Sequence, residues 1–256
     1  MSSKDFSPIE EDHLFFMHSS TESQADCTAH LAELKRRFTS LRSLNWLDIG
    51  CSQGELTQVL LEAWNWPIAQ LRLNLLEPVA AHRSAAANTL QPFSSSVVEE
   101  VLELADLQDT TFDVILANHS CYYVQDPLTT VNHIERLLRP EGLGLIAIAG
   151  ENNFLIELWR IGFASLGQKI PYWIAEDFQP AIKQSSLMSN EKAVPYSMTF
   201  EDTPENRNRI LRFLFGEYWP QMDQEDLRSR FAPHIHGSKF HLETHCQHFV
   251  LLNPDH

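Results

Sequence analysis

The segment Leu47-Asp48-Ile49-Gly50-Cys51-Ser52-Gln53-Gly54-Glu55 constrains this chain more than any other. It ends an apolar run, Leu44–Ile49, that reads as a strand, and it opens an amphipathic run, Glu55–Trp64, that reads as a helix. Gly50 lets the backbone turn sharply, and Gly54 permits close helix–strand packing. The pattern then repeats. Leu71–Leu76 reads as a second strand, Pro78–Leu90 as a helix, and Val97–Leu102 and Phe112–Ala117 as further strands. Leu128–Leu138 reads as a helix that stops at Arg139-Pro140, because proline cannot continue it, and Gly142–Ala149 follows as a fifth apolar strand. Strands alternating with helices indicate a mainly parallel, doubly wound α/β sheet covered on both faces.

After Gly150 the texture changes to aromatic helical stretches. Val194–Phe200 reads as a strand, Pro204–Trp219 as an amphipathic helix, 223–231 as a polar helix, and Cys246–Leu252 as a last strand pairing antiparallel at the sheet edge. Before the sheet, Ala29–Leu41 reads as a helix. The expected organisation is a single domain over 1–256. It comprises a helical segment 1–43, a cofactor-binding core 44–150, a substrate cap with sheet strands 151–245, and a last strand 246–256.

Composition narrows the function. With 34 acidic against 19 basic residues the net charge is −15, which disfavours binding to a phosphate backbone and favours neutral or cationic small molecules. No nucleic-acid partner is expected. The four cysteines, Cys27, Cys51, Cys121 and Cys246, lie far apart, as expected of free thiols in a reducing compartment. Met1–Asp12 lacks the basic and apolar regions of a secretion signal, and no run reaches the roughly 18 apolar residues that span a bilayer. A cytoplasmic protein with no membrane partner is the expectation.

The second strand ends in Glu77, which should reach the crevice at the strands' carboxyl ends. A carboxylate there can accept both hydroxyls of a ribose, so the ligand is read as a nucleoside. The dinucleotide fingerprint needs further glycines where Ser52 and Glu55 stand, and an anionic Glu55 at a helix start would repel a pyrophosphate. That argues against a nicotinamide-dependent oxidoreductase. It suits S-adenosylmethionine, which lacks phosphate and carries an ammonium and a sulfonium. Asp48 can hold the turn and face that cationic end. The cofactor-binding set is Asp48, Gly50, Cys51, Ser52, Gln53, Gly54, Glu77, Pro78, Asn118 and, for the adenine side, Glu99, with Glu100 and Asp106 as alternatives.

These residues carry a resemblance. Leu47–Glu55 resembles motif I of the class I S-adenosylmethionine-dependent methyltransferases, with Ser52 replacing the middle glycine. Leu75-Leu76-Glu77-Pro78 resembles their acidic second-strand motif. Phe112–Ile115 with Tyr122–Asp126 resembles the fourth-strand motif, and Leu137–Gly142 the turn before strand five. The resemblance implies a Rossmann-like fold of seven strands with an antiparallel last strand and a helical substrate cap.

Over nearly the whole chain the sequence is also similar to the histamine N-methyltransferase family. Phe16–Gln24 is similar to its His-Ser-Thr-Glu segment, which implies that Glu22 contacts a substrate amine. His119 falls on the family's glutamine, Tyr122 and Tyr123 on its tyrosine pair, and Phe154 and Trp159 near its cap tryptophans. Phe213 matches a pocket phenylalanine, and Thr244 falls near the substrate asparagine. With two of three polar contacts altered, the implied acceptor is a related amine or imidazole-like molecule. Glu22 and His119 are the expected catalytic residues, His119 either removing a proton from the amine or only hydrogen-bonding it. The alternative is a module that binds the cofactor but no longer transfers a methyl. On an extended strand His241, Glu243 and His245 would share one face, which could hold zinc or iron; a solvent-facing polar stripe explains them as well, and no metal site is assigned.

Overall fold

The computed structural model describes residues 7–96, 98–101, 103–104, 107 and 110–254. Its centre is a mixed sheet of β1 (Leu44–Ile49), β2 (Leu71–Leu76), β3 (Glu99–Val101), β4 (Phe112–Asn118), β5 (Leu138–Ile148), β6 (Met188–Glu201), β7 (Ile235–His236) and β8 (Lys239–Leu252). The main path runs β3-β2-β1-β4-β5-β8-β6, and β7 pairs with the start of β8. The first five strands are parallel. β8 then runs antiparallel to both β5 and β6. This is the Rossmann-like methyltransferase architecture that the sequence implied.

Nine α-helices are described: α1 (Glu10–Ser19), α2 (Glu22–Arg37), α3 (Glu55–Trp64), α4 (Ala80–Leu90), α5 (Pro127–Leu137), α6 (Phe154–Ser165), α7 (Ala175–Gln184), α8 (Pro204–Phe215) and α9 (Gln224–Ser229). Their sequences explain where they start and which face they bury. α3 buries Thr57, Leu60, Leu61 and Trp64, a stripe at helical spacing. α5 begins at Pro127, capped by the Asp126 carboxylate, which accepts the Thr129 N–H at 2.7 Å. Two apolar clusters fill the two sides of the sheet, one gathering α2, α3 and α4, the other α1 and α5 to α9. β1 serves both, sending Leu44 and Trp46 to the first and Leu47 and Ile49 to the second.

Several boundaries differ from the sequence expectation. α2 starts at Glu22 and ends at Arg37, earlier at both ends than Ala29–Leu41. α1 was not anticipated, because its apolar residues Leu14, Phe15, Phe16 and Met17 are contiguous instead of spaced on one face. β5 begins at Leu138, before Pro140, with a register shift opposite Phe112 that accommodates the proline. β6 starts at Met188, where exposed residues show no alternation. β8 starts at Lys239 and so takes in much of the histidine-rich segment. The 216–221 part of the expected Pro204–Trp219 helix is a 3-10 turn. Val97 and Leu102, the ends expected for the third strand, lie outside the described residues.

The direction of β8 positions the site. Register pairs Ile148 with Gln247, so Cys246 and Thr244 lie beyond the carboxyl end of β5. There Cys246 meets Glu22 of α2 and lies near Tyr122, in the segment that follows β4. Under this end sits an aromatic floor in which Phe163, fully buried, packs against Phe215, Tyr218 and Tyr172. Phe163→Ala is expected to cost about 3–5 kcal/mol, read as a fall in the urea midpoint at unchanged slope.

Candidate functional site

The turn after β1 winds through three positive-φ residues, Gly50 (φ 71), Ser52 (φ 49) and Gly54 (φ 89). At Gly50 only glycine fits, since a Cβ would lie 2.3 Å from the Cβ of Ser120, whose hydroxyl donates to Ile49 O at 2.6 Å. The loop after β4 is thereby locked against the turn after β1. Ser52 adopts the left-handed conformation without being glycine, and its N–H is held by Glu77 Oε2 at 3.0 Å. The other oxygen of Glu77 accepts the Val79 N–H at 3.0 Å, so the carboxylate is fixed at the carboxyl end of β2. Asp48 is buried and accepts from the Thr57 hydroxyl at 2.5 Å. Burial pushes its carboxyl up to about 7 against that hydrogen bond, with the Glu77 charge adding to the effect.

This donor set fits S-adenosylmethionine. A fixed carboxylate stands where a ribose diol is read, two acids line the turn, and among the described residues no arginine or lysine donates into 50–54. Cys51, Ser52 and Gln53 are partly exposed on the turn, and Pro78 is exposed beside Glu77. Two expected cofactor contacts are placed elsewhere. Glu99 pairs with Asn74, below the level of Leu76, so it lies short of the carboxyl edge. Its neighbour Glu100 is taken by Arg83 at 3.0 Å, and Asp106 lies outside the described residues. The Asn118 side chain turns from the cofactor crevice to contact His30 Nε2 at 2.9 Å and donate to Asp26 at 3.3 Å.

Next to this crevice lies a buried polar network. Asp26, 1% exposed, receives His119 Nε2 at 2.9 Å on one oxygen and His248 Nε2 at 2.8 Å on the other. Burial alone would raise the Asp26 carboxyl. The His119 charge and the hydrogen bonds from both imidazoles outweigh it and hold the group well below the usual carboxylate range. His119 itself sits at φ 52, and its Nδ1 meets the Tyr122 hydroxyl at 3.1 Å. Burial would lower His119, yet the charges of Glu22 and Asp26 prevail and push it up to about 9. Glu22 lies 3.7 Å from His119 Nε2 and accepts from the Cys246 thiol at 3.1 Å. Burial pushes the Glu22 carboxyl up, opposed by His119.

These placements revise one role. An imidazole with an ordinary pKa would suit a general base, but His119 is charged near neutrality with both nitrogens engaged. In that state it can donate a hydrogen bond, the second of the two parts expected of it, and has no free nitrogen to take a proton. Among the aromatics, Tyr122 stacks on His119 and meets Trp159 edge-on, Trp159 contacts Tyr172, and Tyr172 meets Tyr123. That wall stands beside the network. Phe154 does not join it; it packs on Phe231, Phe240 and His234. Phe213 stacks on Phe16 and His13 of α1, apart from the wall. Thr244 shares the inward face of β8 with Cys246 and His248, whereas Glu243 is exposed on the other face with His241 and His245.

Sequence reasoning missed Asp26, Cys246, His248 and Asn153, whose amide donates to the Tyr196 hydroxyl at 3.0 Å beneath Glu22. The spacing of Glu22 and Asp26 puts both on one helical face, a signal hidden by starting the helix at Ala29.

The comparisons agree with this geometry. A family model described as a methyltransferase domain matches residues 22–187. A malonyl-[acyl-carrier protein] O-methyltransferase of Paenibacillus sp. is 27% identical over 112 residues, 43% of this chain and 40% of that protein. One of the same name from Halalkalibacterium halodurans is 26% identical over 190 residues, 73% of this chain and 61% of that protein. The chain thus matches less than two thirds of the length of either relative. Among solved structures, the N-methyltransferase NodS of Bradyrhizobium japonicum, in complex with S-adenosylhomocysteine, shares the fold at a TM-score of 0.51 and 14% identity. That match covers 89% of this chain and 87% of NodS.

The His119 ion pair has a pH signature. An unfolded histidine titrates near about 6.5, and the folded value is about 9. The raised value means that the stability contributed is full below the unfolded pKa and is lost as pH rises through about 9. Urea unfolding of wild type and His119→Gln is expected to show a stability gap at pH 6 that narrows by pH 9.5; a gap independent of pH would remove the imidazolium assignment.

Proposed function

Since the chain belongs to the methyltransferase-domain family and uses S-adenosylmethionine as its methyl donor, we propose that its acceptor is a nitrogen of a small amine or imidazole-like molecule. The observation that carries this reading is the charge of the acceptor side. Glu22 and Asp26 face only the imidazoles of His119 and His248, and among the described residues no lysine or arginine pairs with either acid. A carboxylate acceptor would add a further anion to that buried site and find no cation free to meet it. A neutral amine can donate to Glu22, and an ammonium can pair with it.

The chain's residues then divide the work. Glu77 receives the ribose hydroxyls, while Asp48 and the 50–54 turn face the cationic end of the cofactor. S-adenosylmethionine, when bound, supplies an electrophilic methyl on sulfur, transferred by in-line displacement. Glu22 orients the attacking nitrogen and takes up its proton, a task suited to a carboxylate whose proton affinity burial has raised. His119, held by Asp26, fixes Glu22 from the other side. Tyr122, Tyr123 and Trp159, with Tyr172, wall the site from water, and alignment within that wall supplies much of the rate. Thr244 faces the same side from β8. The similarity to the histamine N-methyltransferase family supports an amine but not histamine itself.

The names of the two sequence relatives favour a second reading, O-methylation of a malonyl thioester. Labelled methyl transfer from S-adenosylmethionine to a panel of imidazole amines and aliphatic amines, with a malonyl thioester alongside, separates the readings. Transfer to amines alone is expected. Transfer to the thioester alone would overturn the nitrogen assignment, and S-adenosylhomocysteine binding without transfer to any acceptor would favour the inactive module.

Two substitutions test the assignments within the site. Glu77→Gln is expected to weaken S-adenosylhomocysteine by at least about tenfold, or about 1.4 kcal/mol, in titration calorimetry. Glu22→Gln is expected to leave that affinity intact and to lower methyl transfer by about 10²–10⁴-fold.

A further inference from the structure

Six histidines fall within residues 234–256, yet among the described residues the metal-ligand geometry lies elsewhere. Glu22, His119 and Cys246 bring a carboxylate oxygen, an imidazole nitrogen and a sulfur within 4.8 Å of one another. Each comes from a different rigid element: the first turn of α2, the residue after β4, and the inward face of β8. Cys246 Sγ stands 3.1 Å from Glu22 Oε1, and His119 Nε2 stands 3.7 Å from Glu22 Oε2. Asp26 Oδ2, 2.9 Å from that same nitrogen, accepts the His119 N–H and stands outside this group of three. Tetrahedral zinc with ligands at about 2.0–2.3 Å has ligand-to-ligand edges of about 3.3–3.8 Å, so the three donors need shifts of at most about 1 Å to close around an ion.

We propose that Glu22, His119 and Cys246 form a binding site for a soft divalent metal of the zinc class. The donor set selects it. A thiolate and an imidazole favour zinc or cobalt over magnesium or calcium, which take oxygen ligands. Binding releases the thiol proton of Cys246 and the Nε2 proton of His119, and the Cys246 thiolate and the Glu22 carboxylate balance the ion's two positive charges. Supporting contacts are in place around the donors. The Tyr122 hydroxyl meets His119 Nδ1, and His248 and Asn118 donate to Asp26. His241, Glu243 and His245 contribute nothing, because His241 is turned to Thr199 Oγ1 at 2.8 Å and Glu243 lies open to solvent. With three protein ligands, the fourth position of a tetrahedral ion stays open. If Glu22 anchors the acceptor nitrogen, as argued above, metal and acceptor exclude one another, and the metal acts as an inhibitor competitive with the amine.

Cobalt(II) reads the site without any activity assay. Titration of the metal-free full chain is expected to produce a sulfur-to-cobalt charge-transfer band, displaced by equimolar zinc. Cys246→Ser should abolish the band while retaining S-adenosylhomocysteine binding, which shows that the variant is folded. Glu22→Gln should weaken cobalt by at least tenfold, and His241→Ala should leave the titration unchanged. A band that survives in Cys246→Ser, or no band in the wild type, would overturn the site. Competition is read separately, from the effect of zinc on the KM for an accepted amine. Loss of competition with the band intact would overturn the shared role of Glu22 and leave the metal site standing.

Discussion

A carboxylate that is 1% exposed cannot stand without partners, and Asp26 obtains its partners from three separate parts of the fold. It sits on α2, outside the sheet. Its donors come from the residue after β4 (His119), from β4 itself (Asn118) and from β8 (His248). One charge thus ties the amino-terminal helix to both the parallel and the antiparallel half of the sheet. His30, one turn along α2, stacks on His248 at 4.7 Å, and burial with the neighbouring His248 charge pushes it down to about 4, so it packs as a neutral ring. The positive φ of His119 is the strain that accompanies this arrangement. Placing its ring between two acids requires a backbone that few residues adopt, and the ion pair holds it there.

The cofactor side depends on a different constraint, the steric one between Gly50 and Ser120. Because the two backbones touch, the segment that turns after β1 and the segment that carries His119 move as one unit. The crevice proposed for the ribose and the network proposed for the acceptor are therefore joined through a few covalent bonds of the loop 118–122. In-line displacement needs this kind of coupling, since its geometry fails if donor and acceptor are held on independently mobile parts.

What the sequence disclosed follows from what kind of information each element carries. β1, α3 and β2 were legible to the residue because each has its own period, a glycine turn, and burial on both faces or on a clean stripe. β6 and α1 were not, because their boundaries are set by pairing and packing with distant segments. Met188–Ala193 is strand because β8 is alongside it, and its own residues are exposed. The same distinction governs the site. Glu77 and the 50–54 turn are local in sequence and were read directly. Asp26, Cys246 and Asn153 become functional only through contacts 92 to 224 residues apart, which no periodicity records. Phe154 shows the converse error: an aromatic residue at about the right spacing was carried to the pocket by resemblance, and the fold sends it into the core behind Phe231.

Likeness of fold leaves the acceptor open, because the sheet and the glycine turn serve the donor that all such enzymes share. The side chains proposed to meet the acceptor lie on α2, the loop after β4 and β8, away from that turn. There two carboxylates meet the imidazoles of His119 and His248 and no lysine or arginine among the described residues, a thiol donates to one of them, and aromatic rings flank the group. Both the nitrogen acceptor and the soft metal ion proposed above fit that set of side chains, in which Glu22 and Asp26 lie on one face of a single helix.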